Sequence, residues 1–221
     1  MNVEKQGKKP MTIRRSRNGE SGFSLVELAV VCIIAITIAA MAITQMLPNL
    51  QYARSDSAMR IVLDQLRQAR EYSIANRRYV QISFPVVSGQ SEVVITQMNT
   101  LTTGAGTTNP ILSTVYIPSP LQYAVVSGMP DTPDKYGNSS AISFVIEGTS
   151  TTPTGSYFFQ SDGELVDSVT LSPIDGTIFL GVAGNKSSAR AVTVMGATGR
   201  VRGWRSNGVG GSAPATSWFQ F

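Results

Sequence analysis

The chain opens with a polar, basic stretch and then passes into a long apolar run. Residues 23–47 are almost entirely apolar, and from Leu28 to Ile43 only Thr37 interrupts the run. A helix rises about 1.5 Å per residue, so about 20–25 such residues cross the hydrocarbon core of a membrane. Basic residues precede the run and none follows it directly, which predicts a cytoplasmic N-terminus and an exported remainder.

Beyond Pro48 the apolar positions recur with helical spacing. One helical face carries the apolar set: Leu47, Leu50, Ala58, Ile61, Val62, Ala69 and Tyr72. The charged set falls mainly on the opposite face: Asp56, Arg60, Asp64, Arg67, Arg70 and Glu71. We expect an amphipathic helix half at 48–76, with an Asp56–Arg60 pair and a charged face that is solvated or contacts another subunit.

From residue 77 the apolar period changes to two, and β-branched residues become frequent, as is typical of strands. Ten strands are predicted: Tyr79–Phe84, Glu92–Gln97, Thr114–Ile117, Leu121–Val126, Ala141–Ile146, Tyr157–Gln160, Leu165–Val169, Thr177–Val182, Ala189–Met195 and Val201–Trp204. The Gly-, Ser-, Thr- and Pro-rich segments 100–110, 127–140, 148–156 and 206–217 are typical of loops. The sequence therefore predicts an α+β fold, in which a long N-terminal helix packs on an antiparallel β-sheet domain at residues 77–221.

Charge is distributed unevenly along the chain. The net charge is +4, and residues 1–22 hold six basic and two acidic side chains, so the remainder is neutral. Residues 186–221 are the one biased patch outside the leader, since they hold five basic side chains and no acidic one.

The amino-acid composition does not favour catalysis or metal binding. The chain has one cysteine, Cys32, and no histidine, which excludes an internal disulfide, a Cys/His zinc site and a Ser-His or Cys-His pair. Asp162-Gly163 is typical of a hairpin turn, with an acidic metal loop as the weaker interpretation. Asp131 and Asp134 offer oxygen ligands but match no known loop. We therefore predict no enzyme activity, no cofactor and no metal site.

Glu27 is the unusual residue of the apolar run. A carboxylate inside a membrane costs roughly 2.5–3.5 kcal/mol, so it needs a partner. Cleavage after Gly22 would create an α-amine at Phe23 and make Glu27 the fifth residue of the mature chain. That amine and the carboxylate can neutralise each other between packed subunits. The alternative is an uncleaved signal anchor.

The heptapeptide Gly22-Phe23-Ser24-Leu25-Val26-Glu27-Leu28, before an apolar helix, resembles the class III signal of type IV pilins and pseudopilins. The resemblance implies processing at Gly22 and Phe23 by a prepilin peptidase, with N-methylation of Phe23. It also implies that Glu27 guides filament assembly. The translation start, Met1 or Met11, stays open.

The layout of helix and strands resembles the GspH/FimT (FimU) group of minor pseudopilins and minor pilins. The local matches are Tyr157-Phe158-Phe159 before Ser161-Asp162-Gly163, and Arg190–Met195 leading to Thr198-Gly199-Arg200-Val201-Arg202. Gly199-Arg200-Val201-Arg202 matches a pattern of FimT-type pilins that bind DNA, which implies DNA contact by Arg200, Arg202 and Arg205. In a strand, Arg200, Arg202 and Trp204 share a face, where Trp204 could stack on a base or pack against an arginine. A strand-edge role for these arginines is the alternative.

The resemblance implies four segments: a cleaved basic leader at 1–22, a transmembrane helix half at 23–47, an amphipathic half at 48–76 and a periplasmic β-rich domain at 77–221. It implies a minor subunit of a type II secretion pseudopilus or a type IV pilus, placed in the inner membrane with its C-terminal domain in the periplasm. The implied partners are other pilin subunits, the prepilin peptidase, the inner-membrane assembly platform and lipid. A DNA-uptake pilin, with DNA as a partner, and an anchored periplasmic domain without a filament role are the alternatives. The tail Trp218–Phe221 caps the sheet or binds another subunit.

Overall fold

The computed structural model describes residues 24–99, 109–208 and 217–221, with the side chains of 44–48 excepted. Gly22 and Phe23, the predicted processing residues, and most of the predicted loops 100–110 and 206–217 lie outside the described residues. The chain divides into two units, residues 1–45 and residues 46–221.

One long helix, α1 (Leu25–Asn76), forms the N-terminal element, as the sequence predicts. Its first backbone hydrogen bond runs from the Leu28 N–H to the Ser24 carbonyl, at 3.1 Å. It ends where Arg77 adopts a left-handed conformation, with φ 51°. The Arg78 N–H then bonds back to the Ser73 carbonyl at 3.2 Å, which satisfies one carbonyl of the last turn.

In the first unit, residues Leu25–Ile43 of α1 are long and apolar enough to cross a membrane, with a mean hydropathy of 2.7. All of these side chains are exposed. The hydroxyl of Thr37 donates to the Ile34 carbonyl at 2.8 Å, so the polar group that interrupts the run is satisfied within the helix.

In the second unit, twelve described strands form two antiparallel sheets. The first sheet contains β1 (Tyr79–Ser83), β2 (Val86–Val87), β3 (Gln90–Met98), β4 (Ile111–Tyr116), β7 (Tyr157–Phe159) and β8 (Leu165–Asp167). The second sheet contains β5 (Gln122–Tyr123), β6 (Ile142–Ile146), β9 (Ile174–Val182), β10 (Asn185–Met195), β11 (Arg200–Ser206) and β12 (Trp218–Gln220). In the first sheet β4 and β1 flank β3, and β7 and β8 follow β1; the second runs β12-β11-β10-β9, with β5 and β6 both pairing β9.

The ten predicted strands are all present, with shifted ends. The strand predicted at Leu121–Val126 shortens to β5, and the one predicted at Thr114–Ile117 begins earlier, at Ile111. The two-residue β2 and the C-terminal β12 were not predicted as strands. Strand β12 pairs with β11, with Ser206 opposite Trp218, so the tail caps the second sheet as one of its two interpretations expected.

The main core lies where α1 packs against both sheets, and its buried residues come from all three elements. The helix contributes Ala58, Met59, Val62, Leu63, Leu66 and Ala69. Two smaller clusters cover the outer faces of the sheets: Met98, Phe158 and Val166 on the first, and a group around Phe179, Trp204 and Trp218 on the second. The α+β fold with a helix packed on antiparallel sheets is thus confirmed.

Asp56 corrects the predicted charge pattern of the helix. Instead of pairing with Arg60, its carboxylate accepts a hydrogen bond from Arg190 Nε on β10, at 2.7 Å. The Arg190 side chain is fully buried, whereas the Arg60 guanidinium lies over the Phe221 ring, 4.9 Å from its centroid. One residue of the charged helix face therefore pairs with a buried side chain and does not face solvent alone, because a buried cation requires an opposite charge.

We predict that Asp56→Ala lowers the free energy of unfolding of residues 46–221 by about 3 kcal/mol, because it leaves the buried Arg190 guanidinium without its carboxylate. Urea denaturation followed by tryptophan fluorescence measures the change, since Trp204 and Trp218 are both buried. Asp64→Ala, on the exposed side of the same helix, is the matched control. Equal stability of the two variants would contradict the prediction, and Asp56→Leu/Arg190→Met is expected to recover most of the loss.

Candidate functional site

The first candidate site is the start of α1. Glu27 lies in the first helical turn, where a carboxylate interacts favourably with the positive end of the helix dipole. It is exposed, and among the described residues it forms no ion pair. Within the part of the chain that the structure describes, the carboxylate at the N-terminal end of the apolar segment is therefore without an ion pair.

The second candidate site is the turn that leads into β11. Gly199 adopts φ 61° after a short 3-10 helix, Gly196–Thr198. A Cβ at this glycine would collide with the Gly163 carbonyl, so only glycine lets the turn approach that hairpin. Directly after it, Arg200 begins β11 with an exposed side chain that forms no ion pair within the described residues.

Arg202 belongs to a polar network that ties β11 to the loop 127–140. Its Nη1 lies 2.6 Å from Asp134 Oδ1. The other oxygen of Asp134 accepts from the Thr193 hydroxyl at 2.6 Å, and that hydroxyl accepts from Trp204 Nε1 at 2.9 Å. Asp134 therefore neutralises Arg202 and fixes the loop against the outer face of the second sheet.

Arg205 points to the opposite face of β11, towards α1. Its Nη1 lies 3.7 Å from Asp56 Oδ2, and its guanidinium is 6.0 Å from the centroid of the Tyr52 ring. Arg190 shares the same carboxylate and also donates from Nη1 to the Ser187 and Ala189 carbonyls, both at 2.9 Å. Burial lowers the pKa of Arg190, and the hydrogen bond and charge of Asp56 oppose that change.

Burial also shifts the pKa of two groups near Asp134. The pKa of Tyr136 is raised to about 12, chiefly by burial and then by the charges of Asp175 and Asp134. Burial likewise raises the pKa of Asp175, and the hydrogen bond from the Gly196 N–H opposes this effect. Asp175 is thus held by an internal backbone hydrogen bond, whereas Tyr136 is half-buried.

The structure does not gather the predicted DNA-binding arginines on one free surface. Arg200 and Arg202 share a face, Arg205 lies on the other, and two of the three face carboxylates. The prediction that Trp204 stacks on a base is wrong, because this residue is 7% exposed and packs in the cluster on the outer face of the second sheet. Sequence reasoning missed the pairing of Asp134 because no local pattern connects residues 68 positions apart.

Two of the acidic residues considered as metal ligands, Asp162 and Asp131, accept backbone hydrogen bonds in turns, whereas Asp134 faces Arg202 and Thr193. Asp162 Oδ1 accepts the Glu164 N–H at 3.0 Å in the hairpin between β7 and β8, as predicted for a turn. Asp131 accepts the N–H groups of Thr132 and Gly137 at 2.7 and 2.9 Å, which shapes its loop. Within the described residues, no group of three or more potential metal ligands occurs together.

We predict that Asp134→Ala lowers the free energy of unfolding by about 1–3 kcal/mol, because it leaves the Arg202 guanidinium and the Thr193 hydroxyl without their shared acceptor. Urea denaturation of residues 46–221 measures the loss, and the near-ultraviolet signal of Trp204 is expected to change with it. Arg200→Ala, on the same face but exposed, is the control that should leave stability unchanged. A loss no larger than that of the control would refute the network's structural role.

Two solved structures are similar to this chain, both at low identity. The minor pseudopilin EpsH from the type 2 secretion system of Vibrio cholerae is 11% identical, with 69% of this chain and 97% of that chain covered and a TM-score of 0.42. The type IV minor pilin FimU of Pseudomonas aeruginosa is 13% identical, with 66% and 84% covered and a TM-score of 0.38. No protein-family model and no curated protein sequence matches the chain. Both TM-scores are below 0.5, so the case for a function rests on the chain's own residues.

Proposed function

We propose that this chain is a minor pilin or pseudopilin, a structural and assembly-priming subunit of a type II secretion pseudopilus or a type IV pilus. The observation that carries the proposal is an exposed Glu27, without an ion pair among the described residues, at the start of a membrane-length apolar helix and four residues after Phe23. An isolated carboxylate in that position is costly for a plain anchor. It becomes favourable when a neighbouring subunit supplies a cation.

The proposed partner of Glu27 is the α-amine of Phe23 in an adjacent subunit. In this proposal a prepilin peptidase cleaves after Gly22 and methylates Phe23, which removes the leader 1–22. Residues 23–47 then hold the subunit in the inner membrane beside the assembly platform, and 48–76 with 77–221 form the periplasmic part. The chain itself performs no catalysis in this role.

We predict that co-expression of the full chain with a prepilin peptidase yields a mature N-terminus at Phe23 that carries one added methyl group. Mass spectrometry of the N-terminal peptide measures both changes. Gly22→Leu is expected to keep the leader, because a bulky side chain replaces the residue before the cleaved bond. An intact Met1 or Met11 terminus in the parent chain would instead support an anchored domain without a filament role.

A second co-expression, of the full chain with the prepilin peptidase and with other pilin subunits, separates processing from assembly. Glu27→Ala is expected to be cleaved normally and to stay in the membrane, because removal of the carboxylate makes the segment more apolar. It should nevertheless fail to co-purify with other pilin subunits, whereas the control Glu71→Ala, exposed on the same helix, should co-purify. Normal assembly of Glu27→Ala would exclude the proposed charge pairing.

A second candidate function is DNA contact by a DNA-uptake minor pilin, and one observation favours it. The exposed Arg200 lines a cleft of about 310 Å³ together with Arg67 and Arg70 of α1, and the carboxylate of Glu71 lines it as well, so the cleft has an excess of positive charge. Three guanidinium groups on one surface suit phosphate oxygens, which arginine contacts with its paired N–H donors. In this proposal Arg202 and Arg205 act only secondarily, since Asp134 and Asp56 already face them.

We predict that residues 46–221 bind duplex DNA weakly and without sequence preference, with a log–log salt slope of about −2.7 for three phosphate contacts. Arg67→Ala/Arg200→Ala should abolish most of this binding, because it removes two of the three cleft cations. Arg78→Ala, which removes an exposed arginine outside the cleft, is the matched control and should bind like the parent. Absence of binding at low salt would exclude this candidate and leave Arg200 as a strand-edge feature.

A further inference from the structure

Strand β4 forms an open edge of the first sheet. It pairs with β3 on one side, and among the described residues no strand pairs with its other side. Natural sheets usually protect such edges with charged residues, proline or a covering segment. The strand Ile111–Tyr116 contains neither a charged residue nor a proline, and Tyr116 is 55% exposed.

The pairing with β3 fixes which backbone groups face the open side. The Ile117 N–H donates to the Ser91 carbonyl at 2.9 Å, and Val115 lies opposite Val93. Antiparallel ladders alternate hydrogen-bonded and non-hydrogen-bonded pairs, so Ile117 and Val115 direct their N–H and C=O groups to β3. Thr114 and Tyr116 consequently direct theirs outward.

Two features limit the open edge to a short, symmetric segment. At the N-terminal end of the strand the register shifts, with Ser113 opposite Ile95 and Ile111 opposite Thr96, so Leu112 is the extra residue of a β-bulge. At the C-terminal end the chain continues into Pro118, which has no N–H to donate. Leu112 and Pro118 lie three residues before and three residues after Val115, which is therefore the centre of the usable edge.

We propose that this edge pairs antiparallel with the same strand of a second copy of the chain, about a two-fold axis at Val115. In this register Thr114 lies opposite Tyr116 of the second copy, and Val115 lies opposite its counterpart. The N–H and C=O groups of Thr114 and Tyr116 then form four hydrogen bonds across the axis, and every outward-facing group of the two residues is satisfied.

The side chains also suit a second copy as the occupant. A two-fold axis perpendicular to a sheet keeps equivalent faces together, so opposite residues have numbers of the same parity. Pairing centred on Val115 fulfils this condition and places the exposed Tyr116 ring beside the methyl group of Thr114 from the other copy. Aromatic and β-branched side chains are favourable neighbours across antiparallel strands. Because the segment is uncharged, the two copies do not repel each other. This inference does not rest on the proposed filament role.

Cysteine cross-linking of the full chain in membranes tests the proposal. The variant is Val115→Cys in a Cys32→Ala background, which removes the natural cysteine. The two Cα atoms of a non-hydrogen-bonded pair lie about 4.5 Å apart, within disulfide range. Mild oxidation should therefore give a covalent dimer severalfold more abundantly than the matched control Val169→Cys, whose parent side chain is an exposed apolar one outside β4.

Charges introduced at Thr114, next to Val115, distinguish a loss of strand pairing from a loss of folding. Thr114→Lys and Thr114→Glu, each combined with Val115→Cys, should cross-link poorly alone, because like charges meet diagonally about 7–8 Å apart across the axis. Co-expression of the two should restore the dimer, which a folding defect would not do. Thr152→Lys with Val115→Cys, at an exposed position away from β4, should cross-link like the parent. Cross-linking of Val115→Cys no stronger than that of Val169→Cys, or no recovery in the mixture, would overturn the proposal.

Discussion

A fully buried arginine fixes how α1 lies on the second sheet. The Arg190 guanidinium has no exposed surface, and a charge in that position is tolerated only beside an opposite charge and hydrogen-bond acceptors. Asp56 and the carbonyls of Ser187 and Ala189 provide them. Because Asp56 must lie directly over β10, the rotation and the axial position of the helix are set. The buried stripe from Ala58 to Ala69 then faces the strands of both sheets.

Strand β10 holds Arg190 in a fixed position because both faces of the strand are covered. Val192 and Val194 point with Arg190 into the main core, whereas Ala191 packs in the outer cluster beneath the loop 127–140. That loop is held by Asp134, whose two oxygens are taken by Arg202 and Thr193. Three of the five basic side chains of residues 186–221 therefore face carboxylates from distant parts of the chain, because Asp56 faces Arg190 and Arg205, and Asp134 faces Arg202. The positive charge of this segment is thus only partly available at the surface.

The sequence predicted what depends on local periodicity and could not predict what depends on distant pairs. The helix and ten strands follow from spacings of 3.6 and two, which each segment carries within itself. The two-residue β2 is too short for such a pattern, and β12 follows a Gly- and Ser-rich stretch that resembles a loop. Arg190 meets Asp56 across 134 positions, so the charged helix face was interpreted without its partner. Trp204 was placed on the correct face, but the loop that buries it gave no local signal. The unusual position of Glu27, in contrast, is evident from the sequence alone, since a single carboxylate in an apolar run can be recognised without knowledge of the fold.

Strand β4 differs from other edge strands of the two sheets in its length and in the exposure of its side chains. Short edge strands are one of the ways in which proteins avoid edge-to-edge association. At two other edges, β8 and β12 are three residues long, and β12 is tied down by Trp218, whose Nε1 donates to the Pro130 carbonyl at 3.1 Å. Strand β6 has five residues, but its side chains are buried or half-buried. Strand β4 has six residues, of which four are exposed, and neither a charge nor a side-chain hydrogen bond shields its centre within the described residues. Among the described residues, the other edge strands are thus short or buried, and β4 leaves one uncharged segment able to accept a strand.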